Sequence, residues 1–247
     1  MAGHSKWANI QHRKKAQDAK RGKIFTKLIR EITVAARVGG PNPDLNPRLR
    51  LAIDRALSVN MPKDNIERAI KRGAGTDELE SYEEPRFEGY GPAGVAIMAD
   101  CMTDNRNRTV SEVRFAFSKY GGNLGTDGCV AYLFRRQGVF VFPPHSDEDR
   151  ILEVALEAGA EDIANSDDGS VEVLSSPEHY DAVKQALELA DLHPADAEIT
   201  MRPETTVVLG AEEGRKVLKI IEHLEDLDDV QHVYTNAEIQ ESAYDEA

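Results

Sequence analysis

Ile24, Phe25, Leu28, Ile29, Ile32, Ala35 and Ala36 recur at three- and four-residue spacing, which lays one apolar stripe along a helix. Lys20, Lys23, Lys27, Arg30 and Arg37 fall at nearly the opposite angle, so this helix has one face for a core and another for solvent or a polyanion. Gly39-Gly40 ends it. Asn46 reads as an N-cap with Pro47 at the first helical position, and Leu49, Ala52, Ile53, Ala56 and Leu57 form the buried side of a second helix. After a turn at Asn60-Met61, Pro62 starts a third helix that Gly73 ends. Ile66 and Ile70 face inward there, while Asn65, Arg68 and Arg72 line another side. The stretch GAGTDELESYEEP that follows reads as an acidic linker.

Beyond the linker, strands alternate with helices. GVAIMADC (94–101) is apolar enough for a central strand, and TVSEVRFAFSKYG is a helix in which Thr109 and Glu112 are spaced as a capping box. CVAYLF (129–134) predicts the next strand. TTVVLG (205–210) resumes as strand, Val217, Leu218, Ile220, Ile221 and Leu224 mark a helix, and VQHVYTN closes as strand. That is β-α-β twice, interrupted by residues 135–204. The interruption is a complete pattern in itself. GVFVF is a strand, DEDRILEVALEAG a helix, and EDIAN and SVEVLSS are strands about the turn DDG. Ser176 caps a helix with Pro177 at its first position and Tyr180, Val183, Leu187 and Ala190 inward; ADAEITM is the last strand. The order β-α-β-β-α-β is ferredoxin-like.

The fold class expected is therefore α+β in three domains. A three-helix basic module covers 1–78, a split βαβ-βαβ domain covers 79–134 plus 205–247, and an acidic ferredoxin-like domain is inserted at 135–204. The tail from about Ala237, with Glu238, Glu241, Asp245 and Glu246, reads as frayed.

Charge changes this picture most. The chain has a formal net charge of -14. Yet residues 1–72 hold 17 Lys or Arg against 6 Asp or Glu, and residues 73–247 hold 13 against 38. Such asymmetry points to a basic module on an acidic body, and the acidic inserted domain should be repelled by nucleic acid. No apolar run approaches the ~20 residues of a membrane span, so no membrane partner is expected. The first residues lack the apolar core of a secretory signal, and the basic stretch runs straight into a patterned helix rather than reading as a cleaved leader. Cys101 and Cys129 fall in separate apolar runs, as buried thiols in a reducing compartment do. The expected location is cytoplasmic.

Candidate chemistry is sparse. Nucleophile motifs, P-loops and metal-ligand spacings are missing from the sequence, and GGNLGTDG (121–128) lacks the Lys-Ser/Thr ending of a nucleotide cradle. It reads as a helix C-cap and turn, or as a loop reaching toward RNA or a partner. LEDLDDVQ gathers Glu225, Asp226, Asp228 and Asp229, a set that metal-dependent phosphodiester chemistry would need. These straddle a helix end and a loop, as a solvated acidic corner does. No enzyme activity, cofactor, metal or small-molecule substrate is expected.

The basic face is the stronger signal. Lys6, Arg13, Lys14, Lys15, Lys20, Arg21, Lys23, Lys27 and Arg30 can each neutralise a phosphate, and Trp7 among them can stack on a base. Lys63, Asn65, Arg68, Lys71 and Arg72 add a further set on the third helix. The short turn between helices two and three fits a helix-turn-helix reader. A helical hairpin gripping only the backbone fits equally, and backbone contact is the favoured mode. Arg106, Arg108 and Arg114 form a smaller basic set, open to helix capping and surface pairing as well.

GHSKWANIQHRK at the start, MPKDNIERAIKRG at 61–73, EGYGPAGVAIMADCMTDNRNRT at 88–109, GGNLGTDGCVAYLF and LEDLDDVQHVYTN together resemble the YebC/PmpR family over essentially the whole chain. Ala93 departs from that pattern, standing where members commonly have a second glycine, and the Asp100-Cys101-Met102 step is unusual. The resemblance implies the three-domain architecture and a non-enzymatic role in gene expression. Some members are described as DNA-binding transcriptional regulators. Others, including the mitochondrial activator of cytochrome oxidase synthesis, act on the ribosome and relieve stalling, notably at proline runs. The leading expectation is a ribosome-associated factor that binds rRNA through the basic module; binding to promoter DNA is the alternative. Asn105, Arg106, Asn107, Arg108, Gly121, Gly122 and Asn123 are expected to form a second contact.

Overall fold

The structure is a computed structural model that describes residues 21–75, 82–166, 168–239 and 243. Helix α1 spans Arg21–Gly39, α2 spans Pro47–Ser58 and α3 spans Lys63–Ala74. Asn46 caps α2 as expected, accepting from the Leu49 N–H at 3.1 Å. Its amide also donates to the Ala35 and Gly40 carbonyls, each at 2.8 Å, so one buried side chain ties the end of α1 to the start of α2. Leu28, Ile32 and Ala36 of α1 pack with Leu49, Ala52, Ala56, Met61, Ile66 and Ala69. Two details differ from the sequence reading. Leu57 is 43% exposed, off the buried stripe. Gly73 lies inside the last turn of α3 rather than beyond it. A β-carbon at Gly73 would overlap the Thr33 carbonyl, so this glycine is what lets α1 and α3 cross closely.

The chain continues with β1 (Arg86–Tyr90), β2 (Ala96–Cys101), α4 (Arg106–Lys119) and β3 (Asn123–Leu124). Then come β4 (Phe134–Phe142), α5 (Glu148–Glu157), β5 (Ala160–Asn165), β6 (Val171–Ser175), α6 (Tyr180–Leu189) and β7 (Asp196–Pro203). The last elements are β8 (Val207–Leu209), α7 (Ala211–Asp226), β9 (Val230–Thr235) and β10 (Ala237–Ile239).

From β4 to β7 the strands form an antiparallel sheet in the order β5-β6-β4-β7, the ferredoxin-like arrangement. Ile151 and Ala155 of α5 and Tyr180, Val183 and Leu187 of α6 cover one face through Phe140, Phe142 and Val173. Helix α6 begins at Tyr180 rather than Pro177, and Ser176 caps the preceding turn by accepting from the His179 N–H at 3.3 Å.

The interrupted part forms a second antiparallel sheet, β3-β1-β2-β9. Val113 and Phe117 of α4 and Val217, Ile220 and Leu224 of α7 pack on one face over Ile97 and Ala99. Ala96 and Met98 point the other way and meet Val130, Phe134, Met201 and Tyr234, which joins the two sheets.

The β-α-β units keep their order, with β1, unread in the sequence, lying between β2 and β3 and β8 paired with β10 rather than with β9. Two sequence expectations give way here. CVAYLF is not a strand: Ala131–Leu133 is a 3-10 turn and Phe134 begins β4. Its amides at Val130 and Ala131 are bonded to the Glu88 carboxylate and are unavailable to a neighbouring strand. The frayed tail is corrected as far as Ile239, since β10 pairs in parallel with β8 from Ala237↔Val207 to Ile239↔Leu209. Among the described residues no helix is long and apolar enough to cross a membrane.

Candidate nucleic-acid interface

Lys6, Trp7, Arg13, Lys14, Lys15 and Lys20 lie outside the described residues, as does the side chain of Arg21. Lys23, Lys27 and Arg30 on the cationic face of α1 meet the acidic corner of their own chain. A helix ends with carbonyls that lack intrahelical partners and with a negative partial charge. At the end of α7, Lys27 Nζ donates to the Glu225 carbonyl at 2.6 Å and Lys23 Nζ to the Asp226 carbonyl at 3.0 Å. Arg30 Nη1 donates to the carbonyls of Met102 at 2.8 Å and Asp228 at 3.1 Å, and to Asp229 Oδ1 at 3.2 Å. Lys23 and Lys27 thus cap α7 from outside, and Arg30, on the next turn of α1, holds the residues that follow it. Burial pulls the Lys27 pKa down, even though Glu225 and Asp228 lie beside it and pull it upward.

Asp229 corrects the solvated-corner reading at that position, being only 4% exposed. Its Oδ2 accepts from Arg108 Nη2 at 2.7 Å, Thr109 Oγ1 at 2.8 Å and Thr103 Oγ1 at 3.0 Å. Burial opposes its charge, but these three donors prevail and hold its carboxyl below the usual range. Thr109 therefore does not head a capping box. Asn105 caps α4 instead, accepting from the Arg108 N–H at 3.1 Å. Among the described residues no three His, Cys, Asp or Glu side chains converge as metal ligands.

Helix α2 is also fastened to the body. Arg48 pairs with Glu31 at 2.7 Å and Glu84 at 2.6 Å, Arg50 with Asp181 at 2.6 Å, and Arg55 with Glu198 at 3.7 Å. Helix α3 differs. Lys63, Arg68, Lys71 and Arg72 are exposed on it, and Arg68 donates to Asn65 Oδ1 at 2.6 Å. None of these four cations pairs with a described carboxylate. Within the described residues, then, the basic surface that the body leaves uncovered lies on α3 more than on α1, a division that helical periodicity alone does not reveal.

The second set is split in the same way. Arg108 is taken by Asp104 and Asp229, and Asn105 by its capping role. Arg106 and Asn107 remain exposed, with Arg106 Nη1 3.9 Å from Glu83. Gly121 has φ 84°, the left-handed turn expected at a helix end. Gly122 lies under the Tyr90 carbonyl, where a β-carbon would crowd it, and Asn123 pairs with Tyr90 in β3. Farther along, the amides of Gly128, Val130 and Ala131 donate to Glu88 at 2.8, 2.8 and 2.7 Å. Burial works against the Glu88 charge, and the three amides still keep its carboxyl below the ordinary value. This loop is held by an internal anion, so those amides are not open to an external phosphate.

Residues 5–76 match the family model described as the TACO1/YebC protein N-terminal domain, and residues 82–237 match that of the TACO1/YebC second and third domain. A probable transcriptional regulatory protein of Halorhodospira halophila is 64% identical over 246 residues, covering 100% of both chains. One of the same description from Methylococcus capsulatus is 63% identical, covering 98% of this chain and 97% of its own. The crystal structure of a conserved hypothetical protein from Aquifex aeolicus superposes with a TM-score of 0.79 at 52% identity, covering 91% of this chain and 93% of its own.

Proposed function

The chain belongs to the TACO1/YebC family, and from that premise we propose that it is a non-enzymatic, cytoplasmic regulator of gene expression that binds ribosomal RNA. The helical module supplies the grip, and the function is the one the YebC/PmpR resemblance implies, relief of stalling, notably at proline runs. The observation that carries this reading is the concentration of 17 basic against 6 acidic residues in 1–72 of a chain whose net charge is -14. Phosphate neutralisation is the common use of such a set. Lys63, Arg68, Lys71 and Arg72 along α3 support contact to a sugar-phosphate backbone. The fastening of α2 through Arg48, Arg50 and Arg55 disfavours a helix pair free to settle into a DNA groove. A DNA-binding transcriptional regulator is the second reading, favoured by the names borne by the Halorhodospira and Methylococcus relatives.

Crosslinking in cells, followed by sequencing of the attached nucleic acid, separates the two. Ribosomal RNA among the crosslinked fragments is the expected result. Enrichment of promoter DNA without rRNA would replace the first reading by the second, and recovery of neither would reject both.

A further inference from the structure

Of the seven phenylalanines, six are buried or half-buried, whereas Phe115, on the outer face of α4, is 57% exposed. It is not a lone apolar residue. The His223 ring of α7 lies 5.7 Å from its centroid at 64° between planes, and 5.9 Å from that of Tyr120 at 63°. Lys119 Nζ stands over both neighbours, 5.6 Å from the Phe115 centroid and 5.2 Å from that of Tyr120, a favourable seat for an ammonium. Three rings and one cation thus hold one another across the seam of α4 and α7, and more than half of Phe115 is left to solvent. His223 lies about one helical turn before Asp226, whose carbonyl and carboxylate hold Lys23 at 3.0 and 3.6 Å. The rings therefore border the first turn of α1, the end at which the cationic stretch with Lys14, Lys15 and Lys20 joins that helix.

We propose that Phe115 is a stacking platform for an unpaired base of the RNA strand whose phosphates the helical module holds. The inference rests on the nucleic-acid reading above and adds to it an aromatic contact on the acidic body. Arg114 beside Phe115, and Lys219 one turn from His223, are exposed and, like Lys119, pair with no described carboxylate. Glu112 and Glu222 are exposed on the same two helices, so charges offset one another locally and the rings carry what this surface offers. Every base has a π-face to lay on such a ring, which makes the contact tolerant of sequence. A duplex keeps its bases stacked on one another, so the contact selects single-stranded segments. A protein partner would use the same rings as apolar area. The ammonium seated among them, and the cationic stretch alongside, favour an anionic strand.

The test is fluorescence anisotropy with the full chain and a labelled single-stranded oligoadenylate, set against an abasic strand of the same length. Wild-type protein should prefer the strand that carries bases. Phe115→Leu keeps apolar bulk at an exposed position and removes the ring. It should weaken oligoadenylate binding at least about fivefold, while the salt slope and the binding of the abasic strand stay as in wild type. Phe115→Trp, with a larger ring, should bind oligoadenylate at least as tightly as wild type, and gives an independent comparison if the leucine variant does not fold. Leu189→Ala, at an apolar position of the inserted domain that is 83% exposed, should change nothing. Oligoadenylate binding by Phe115→Leu equal to wild type, weaker binding by Phe115→Trp, an equal loss on the abasic strand, or an equal loss in Leu189→Ala would overturn the platform while leaving nucleic-acid binding intact. Phe115→Leu that binds oligoadenylate as wild type does, yet no longer co-sediments with ribosomes, would assign the rings to a protein contact instead. Wild-type protein that binds neither strand would overturn both readings.

Discussion

Ala93 has φ 58°, in the left-handed region where a β-carbon crowds the following carbonyl at a cost of roughly 1–2 kcal/mol. Glycine avoids that crowding, and Ala93 is the position at which the chain departs from the second glycine common in the YebC/PmpR pattern. Ala93→Gly should raise the unfolding free energy by about 0.5–1 kcal/mol, since the added freedom of the unfolded chain offsets part of the gain. A urea midpoint that stays put or falls would contradict this. Asp229 is the opposite case, a buried charge satisfied by Arg30, Arg108, Thr103 and Thr109. Asp229→Asn should cost about 3 kcal/mol at neutral pH, because it leaves two guanidinium groups facing a neutral amide. Its folded pKa lies below the ordinary 3.8, so the stabilisation is complete above the unfolded value and is lost as pH falls through the folded one. The gap between wild type and variant should therefore close below pH 3.8; a gap independent of pH would count against the assignment. Sequence spacing shows four similar carboxylates at 225–229 and cannot single out Asp229. The groups that distinguish it lie more than 100 residues upstream in the chain.

At the scale of elements, the parts written in local pattern were legible and those written in long-range contact were not. The apolar stripe of α1, the Asn46 cap and the ferredoxin-like order all follow from residues near one another in sequence. CVAYLF failed because an apolar run is equally suited to a turn wedged between two sheets, which is where Val130 and Phe134 sit. β1 was missed because RFEGY carries a buried glutamate, Glu88, whose partners lie some 40 residues onward. Gly73 reads as a helix stop, yet its use is steric, at the α1–α3 crossing. Gly73→Ala should cost about 1–3 kcal/mol by overpacking, visible as a lower midpoint in thermal unfolding. A neutral outcome would mean that the two helices separate at little cost.

Over the whole molecule, charge is arranged in two tiers. The acidic body takes up Lys23, Lys27 and Arg30 at the end of α7 and Arg48, Arg50 and Arg55 along α2. The charge split was legible from composition, whereas its use as an internal fastening was not, since helical angle places a residue on a face without saying what that face meets. The proposed phosphate contacts are accordingly those on α3 and in the first twenty residues, Lys14, Lys15 and Lys20 among them. The central claim is that this module carries the protein to the ribosome. Its most direct test is co-sedimentation of the full chain with ribosomes, at about 50 mM and about 200 mM salt, for wild type and for Lys14→Glu, Lys15→Glu, Lys20→Glu combined. The account predicts that wild type pellets with ribosomes at low salt, is largely released at high salt, and that the triple variant stays soluble at both. Wild type that stays soluble at low salt, or a triple variant that pellets as wild type does, would contradict it.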